Sequence, residues 1–404
     1  MPDSSPVVTG QVSNLDPELM DEENRKAPEL GMALCLSGGG YRAMLFHVGA
    51  ILRLNECGML AGKAEKRLCR VSSVSGGSIT AGVLALSWGK LAFDANGRTA
   101  KLKELLVDPI RRMADVTIDR GAILGGIFLP GTISERVSAQ YREILFGKAT
   151  LQDLLPDDKG PRFVFNATSV QTGSLVRMSR PYLADYRVGM IKKPKIGLAE
   201  VVAASSAFPP VLSPAEIDVN PSDFDSKHQG PLFKRPFNDT LVLSDGGVYD
   251  NLGLETAWKR YQTILVSDGG GQMAPEESPA GDWAQHSKRI LDIVDNQVRS
   301  LRKRQLMDSY KSKAEDANHR TGTYWGIRSD IQDYQLPDSL SADHELTKPL
   351  ADIDTRLKRM SVETQNQLMN WGYAVCDAAV RKHTPQFIAS GSPAAKFPFP
   401  GGVG

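Results

Sequence analysis

The sequence predicts an α/β fold with a mostly parallel sheet flanked by helices. Three observations predict it. Short apolar runs at residues 32–37 and 68–74 have the length of buried strands. Each is followed by a glycine-rich turn and a helix-period segment, over 43–54 and 79–91. The 404 residues are 41% hydrophobic and 24% charged, which suits a large core and excludes wholesale disorder.

The elements follow in chain order. Residues 1–30 are polar, carry Pro2, Pro6, Pro17 and Pro28, and read as a mobile arm with a short helix over 17–26. The first strand, 32–37, runs into Gly38-Gly39-Gly40. The next helix has an apolar stripe of Met44, Leu45, Val48, Ile51 and Leu52, and Cys57-Gly58 closes it. The strand over 68–74 meets Ser75-Gly76-Gly77-Ser78 and an alanine-rich helix. Further strands are expected over 162–168, 241–244 and 263–267, with a weaker one at 175–180 pairing antiparallel with the run before it. A helix over 198–206 ends at Phe208-Pro209-Pro210. Residues 214–238 and 272–283 read as loops. A long helix over 288–317 carries the stripe Ile290, Val294, Val298 and Leu301, expected to pack on the sheet. A last helix spans 357–380, and the end of the chain reads as a loose tail.

Lys+Arg is 48 and Asp+Glu 47, a net charge of +1, which is not the balance of a nucleic-acid binder. Mean hydropathy is −0.26, with no apolar run long enough for a bilayer. Whole-protein charge therefore cannot hold the chain on a membrane. A peripheral lipid contact would need a local patch, and the basic residues of the long helix are one candidate. The four cysteines form no C-x-x-C pair and no leader is visible, so reduced thiols in a cytoplasmic compartment are expected. The six histidines fall in no metal-binding spacing. Neither metal nor cofactor is expected, and the oligomeric state is unreadable.

Three glycine-flanked sites carry chemistry. In Ser37-Gly38-Gly39-Gly40-Tyr41-Arg42, consecutive glycines let backbone N–H groups converge, and the helix behind adds its positive end. Such a loop holds a phosphate or a developing oxyanion. Gly38-x-Gly40-x-x-Ala43 also fits the dinucleotide fingerprint, but the second strand ends without the acid that a ribose requires; Glu56 lies in or at the end of the helix. Ser75, between small neighbours at a strand-to-helix turn, fits a nucleophile elbow, with Ser73 in place of the usual first glycine. Ser244-Asp245-Gly246-Gly247 puts an aspartate at a strand end, and Ser267-Asp268-Gly269 repeats the arrangement; Asp-Gly is equally a turn former.

Together these stretches resemble the patatin-like phospholipase family. The resemblance rests on 37–42 with Phe46-His47-Val48-Gly49, on 75–78, and on Asp245-Gly-Gly-Val-Tyr-Asp-Asn-Leu-Gly253. The stretch 204–210 is similar to a structural block of the family. It implies a three-layer fold with a helical C-terminal elaboration. It also implies a Ser–Asp dyad of Ser75 and Asp245, an oxyanion hole from Gly38, Gly39, Gly40 and Gly76, and an auxiliary place for Arg42. The implied activity is hydrolysis of phospholipid or other acyl esters. Asp268 lacks the family block after it and reads as structural. His47 is expected to fix packing. Because Ser75 and Asp245 must meet, one core over 31–285 is expected, with a helical part over 286–383 packed on it and a tail over 384–404. An esterase or thioesterase on a soluble substrate, and an inert nucleotide-binding or regulatory module, stay open.

Overall fold

The structure, a computed structural model, describes residues 28–118, 133–271 and 273–404. The arm and its short helix lie largely outside the described residues. The strands are β1 (Glu29–Leu36), β2 (Leu68–Ser73), β3 (Arg162–Ser169), β4 (Leu175–Met178), β5 (Tyr182–Asp185), β6 (Gly189–Lys192), β7 (Ala215–Asp218), β8 (Phe224–Gln229), β9 (Thr240–Asp245), β10 (Tyr261–Asp268) and β11 (Thr321–Gly326). The helices are α1 (Gly40–Glu56), α2 (Gly76–Ser87), α3 (Asp108–Ala114), α4 (Ile133–Tyr141), α5 (Leu198–Ser205), α6 (Gly247–Asp250), α7 (Glu255–Trp258), α8 (Trp283–Lys311), α9 (His344–Ala351) and α10 (Val362–His383).

The strands β11, β10, β1, β2 and β3 run parallel in that order. Beyond β3 the sheet continues antiparallel through β4, β5, β6 and β8. Alternation along β1 makes the layers. Met32, Leu34 and Leu36 enter the large core shared with α1, α2 and α10. Ala33 and Cys35 enter the opposite core, with Leu254 and Leu306. Both faces of β1 are thus buried, which is why it reads as a continuous apolar run.

α1 and α10 cross backbone to backbone. A Cβ on Gly49 would lie 1.8 Å from Met369 O, and one on Gly372 would lie 1.9 Å from Phe46 O. Only glycine fits either position. The buried pair Arg53–Asp377, 2.8 Å, fixes the same two helices.

One arrangement positions the site. β3 is longer than the stretch that β2 covers. β2 pairs with it from Arg70↔Arg162 to Ser73↔Phe165. The antiparallel β9 pairs with it from Ala167↔Asp245 to Ser169↔Leu243. With β4 on the other edge of β3, the carboxyl ends of β2 and β9 point at each other along one edge.

Several expectations need correction. Residues 214–238 contain β7 and β8. β11 was not foreseen; its Gly322 and mixed burial hide a strand period. The stripe of α8 faces solvent instead of the sheet, with Ile290, Val294 and Leu301 exposed. The end of the chain is held down, with Asn370 Nδ2 donating to Phe399 O (2.9 Å) and Gly402 O (2.7 Å), and Val403 buried. Chain pinned by side-chain hydrogen bonds has no period to read.

Candidate active site

The turn after β2 is built around Ser75. Its backbone stands at φ 52°, ψ −120°, in a region that disfavours a residue with a Cβ. The next residue must come close to the glycine loop, since a Cβ on Gly76 would lie 2.1 Å from Gly40 O. Main-chain bonds hold the elbow from both sides: Val74 N–H donates to Leu36 O (3.0 Å) and Ser75 N–H to Ser205 O (3.1 Å). Small polar side chains brace it below. Asn166 Nδ2 donates to Ser73 O (2.9 Å) and Ser72 Oγ (3.0 Å), and Ser78 Oγ bonds Ser73 Oγ (2.9 Å) and Ser205 Oγ (2.8 Å). Strain at Ser75 is sustained because its surroundings over-determine it.

Asp245 enters from the opposite direction at the end of β9. It is 1% exposed. Oδ1 accepts the Gly247 N–H at 2.7 Å, while Oδ2 is buried without a hydrogen bond of its own. Burial pushes its carboxyl up from the ordinary 3.8 to about 7. The Gly247 N–H and the neighbouring Ser75 hydroxyl pull the other way, and the Asp295 carboxylate of α8 adds to the rise. Such an acid is half ionised near neutral pH, and its unsatisfied oxygen has proton-accepting capacity beside a hydroxyl.

The glycine loop meets the elbow at the start of α1. Gly38 donates its N–H to Asn251 O (3.1 Å), so that donor is already committed. The N–H groups of Gly39, Gly40 and Gly76 have no acceptor among the described residues. They are the donors left for an anion, a set of three where the sequence suggested four. Tyr41 N–H is taken by Arg356 O (3.0 Å), which covers the start of α1 and weakens the case for a pyrophosphate there.

Arg42 is buried, and its hydrogen bonds among the described residues go to two carbonyls and a hydroxyl. Nε donates to Gly269 O (3.0 Å), one terminal nitrogen to Ile353 O, and the other to Thr355 Oγ1 (3.1 Å). Burial lowers its pKa to about 10. It ties the glycine loop to two distant chain segments. His47 is fully buried between Ser267 Oγ (2.8 Å) and Ser37 O (2.9 Å), and burial drops its pKa to about 4. It holds β1 to β10, as expected of a packing residue. Asp268 accepts from Tyr324 OH (2.7 Å) and Gly270 N–H (2.9 Å), and Arg299 helps hold its pKa down. It is a satisfied, structural aspartate.

The roles of Asn166, Ser78 and Asn251 were missed by sequence reasoning. Asn166 and Ser78 brace the turn with their side chains and Asn251 accepts the Gly38 N–H at its main-chain carbonyl, which a lone Ser or Asn does not announce. Among the described residues, no group of His, Cys, Asp and Glu is arranged to hold a metal ion. No helix among them is long and apolar enough to cross a membrane.

A family model described as patatin-like phospholipase matches residues 34–258. No curated protein matches the chain significantly. Among solved structures, human GIVD cytosolic phospholipase A2 is similar, with a TM-score of 0.50, 12% identity and coverage of 90% of this chain. The chain spans 60% of that protein's solved chain. VipD from Legionella pneumophila is a further match, with a TM-score of 0.37, 16% identity, and coverage of 88% of this chain and 67% of the other. At such identity the likeness to the human enzyme speaks to the fold alone.

Proposed function

Given that the chain belongs to the patatin-like phospholipase family, we propose that it cleaves carboxylic esters of phospholipids through a Ser75 acyl-enzyme, with Asp245 as the base. Lipid hydrolase activity in general follows from membership. One observation carries the proposal: Ser75, held in a strained turn, stands beside a buried, half-neutral carboxylate whose Oδ2 has no hydrogen bond of its own.

Asp245 Oδ2 accepts the Ser75 hydroxyl proton as Oγ attacks the ester carbonyl, forming the C–O bond and moving the π electrons to oxygen. The N–H groups of Gly39, Gly40 and Gly76 are the donors for that oxyanion, each worth roughly 10²–10³ in rate. Collapse expels the alcohol, which takes the proton back from Asp245. Water then attacks the acyl-enzyme by the reverse route, with Asp245 again accepting the proton. A carboxylate near 3.8 would be a poor base; burial supplies the missing basicity. Arg42 is read as a positioning residue, since it ties the start of α1 to the carbonyls of Gly269 and Ile353. Residues 286–404 complete the catalytic body in this reading, because β11 extends the sheet and α10 packs on α1.

The test is fatty-acid release from mixed micelles of phosphatidylcholine by the wild type and Ser75→Ala. Release by the wild type alone supports the proposal. Turnover confined to short p-nitrophenyl esters overturns the lipid part, and no ester turnover overturns it all.

A further inference from the structure

The long helix α8, beyond the matched family region, has two faces of opposite character. One is anchored. Arg299 donates to Gly271 O (2.8 Å), Arg302 pairs with Glu255 (2.6 Å), Leu306 is buried, and Tyr310 OH donates to Ile264 O (2.7 Å). The spacing 299, 302, 306, 310 is one helical stripe. The other face is apolar and open. Trp283 is 82% exposed, Ile290 46%, Val294 54% and Leu301 57%. At 3.6 residues per turn these four fall within about 20° of one line, roughly opposite the anchored stripe, over about 27 Å. Leu291 and Ile293 broaden it and are exposed too.

Single exposed apolar residues need no explanation, but a continuous helical stripe of them does. The stripe also has a place. α8 packs against α6, the turn directly after Asp245, where Val248 is exposed. Phe208 and Val211 are exposed on the loop whose Ala207 O accepts the Asp245 N–H (2.9 Å). Exposed apolar side chains thus stand on the two segments beside the candidate site, α6 and the loop at 208–211, and on α8, which packs against α6.

We infer that this face of α8 docks the protein on a lipid surface, with Trp283, Ile290, Val294 and Leu301 entering the acyl boundary. The inference rests on the lipid-hydrolase reading of the site. That placement beside the site names the occupant: a partner that covers the rim and still delivers acyl chains to Ser75 is the lipid phase itself. The charges agree. Lys288, paired with Asp292 (3.0 Å), and Lys303, over the Tyr324 ring (4.3 Å), fall on the anchored side of α8, while Arg304 and Asp308, of opposite charge, stand beside the open face. Attachment should therefore be apolar rather than coulombic, unlike the basic-face attachment that the sequence suggests.

The test uses the full chain and large unilamellar vesicles of pure phosphatidylcholine, with co-sedimentation and tryptophan emission as readouts. The wild type should bind and its emission should shift to the blue. Adding anionic lipid, or raising salt to 1 M, should change affinity by less than about threefold. Ile290→Ser/Val294→Ser/Leu301→Ser should lower affinity at least about 100-fold, by loss of buried aliphatic surface. These side chains are exposed, so its circular dichroism and Tm should stay as in the wild type; Trp283→Ser alone is the milder variant should the triple fail to fold. Equal vesicle binding by wild type and variant overturns the inference, as does salt-reversible binding. A wild type that sediments as a dimer, and a variant that sediments as a monomer, would give the face to a second copy instead. Fluorophosphonate labelling of Ser75 is read separately. If the wild type binds vesicles through this face and Ser75 does not label, the docking face stands and the hydrolase reading falls.

Discussion

Replacing Asp245 by Asn should destroy activity and make the protein more stable, with a pH dependence that identifies the cause. The folded carboxyl ionises near 7 and an unfolded one near 3.8. Below pH 3.8 both states are protonated, and burial of the neutral acid costs little. As pH rises towards 7 the unfolded chain ionises while the folded site resists, so stability is lost, and the loss is complete once pH exceeds 7. At 1.36 kcal/mol for each pH unit, the gap amounts to about 4 kcal/mol. Asn keeps an acceptor for the Gly247 N–H and has nothing to ionise. Asp245→Asn should therefore match the wild type near pH 4 and exceed it by about 4 kcal/mol at pH 8. For a chain of this length that is about 5 °C in Tm. Urea melts at half-unit pH steps from 4 to 8 provide the curve. A difference that is flat with pH, or of the opposite sign, would refute the claim that this carboxylate is held desolvated.

Other outcomes follow from the same geometry. Ser75→Gly should abolish ester turnover yet raise stability by about 1 kcal/mol in denaturant melts, because glycine adopts the positive φ without strain. Asp295→Asn should move the acid limb of kcat/KM to lower pH, since it removes a like charge from Asp245; Arg299, Asp292 and Asp268 also face Asp295 and should be mutated in parallel. Gly76→Ala should cost at least about 100-fold in kcat, because its Cβ would meet Gly40 O and push the elbow from the glycine loop. Asp268→Asn should lose stability above pH 4 while retaining turnover within about tenfold, the converse of Asp245→Asn, because Arg299 and Tyr324 hold its carboxylate ionised.

The parallel half of the fold was legible because β1 and β2 are buried on both faces and each leads into a glycine turn. The site's three points were legible for a related reason. Each sits where a glycine lets the backbone come closer than a side chain permits, and glycine runs stand out in a sequence. The approach of β9 was not. A strand-end aspartate looks the same whether its strand runs parallel or antiparallel, and only the shared edge of β3 turns Asp245 towards Ser75. The commitment of Gly38 to Asn251 was hidden because the partner atom is a main-chain carbonyl. The period of α8 was read correctly and its direction was not. Periodicity marks a stripe, while the arginines on the other face, through Gly271 and Glu255, decide which side packs.

The central claim, that Asp245 activates Ser75, is tested most directly by the pH dependence of fluorophosphonate labelling, with the modified residue located by peptide mass spectrometry. The label should fall on Ser75, at a rate that rises through an apparent pKa of about 7. The rate should fall at least about 10³-fold in Asp245→Asn and stay near wild type in Asp268→Asn. A label on another residue, or undiminished labelling of Ser75 in Asp245→Asn, would contradict it.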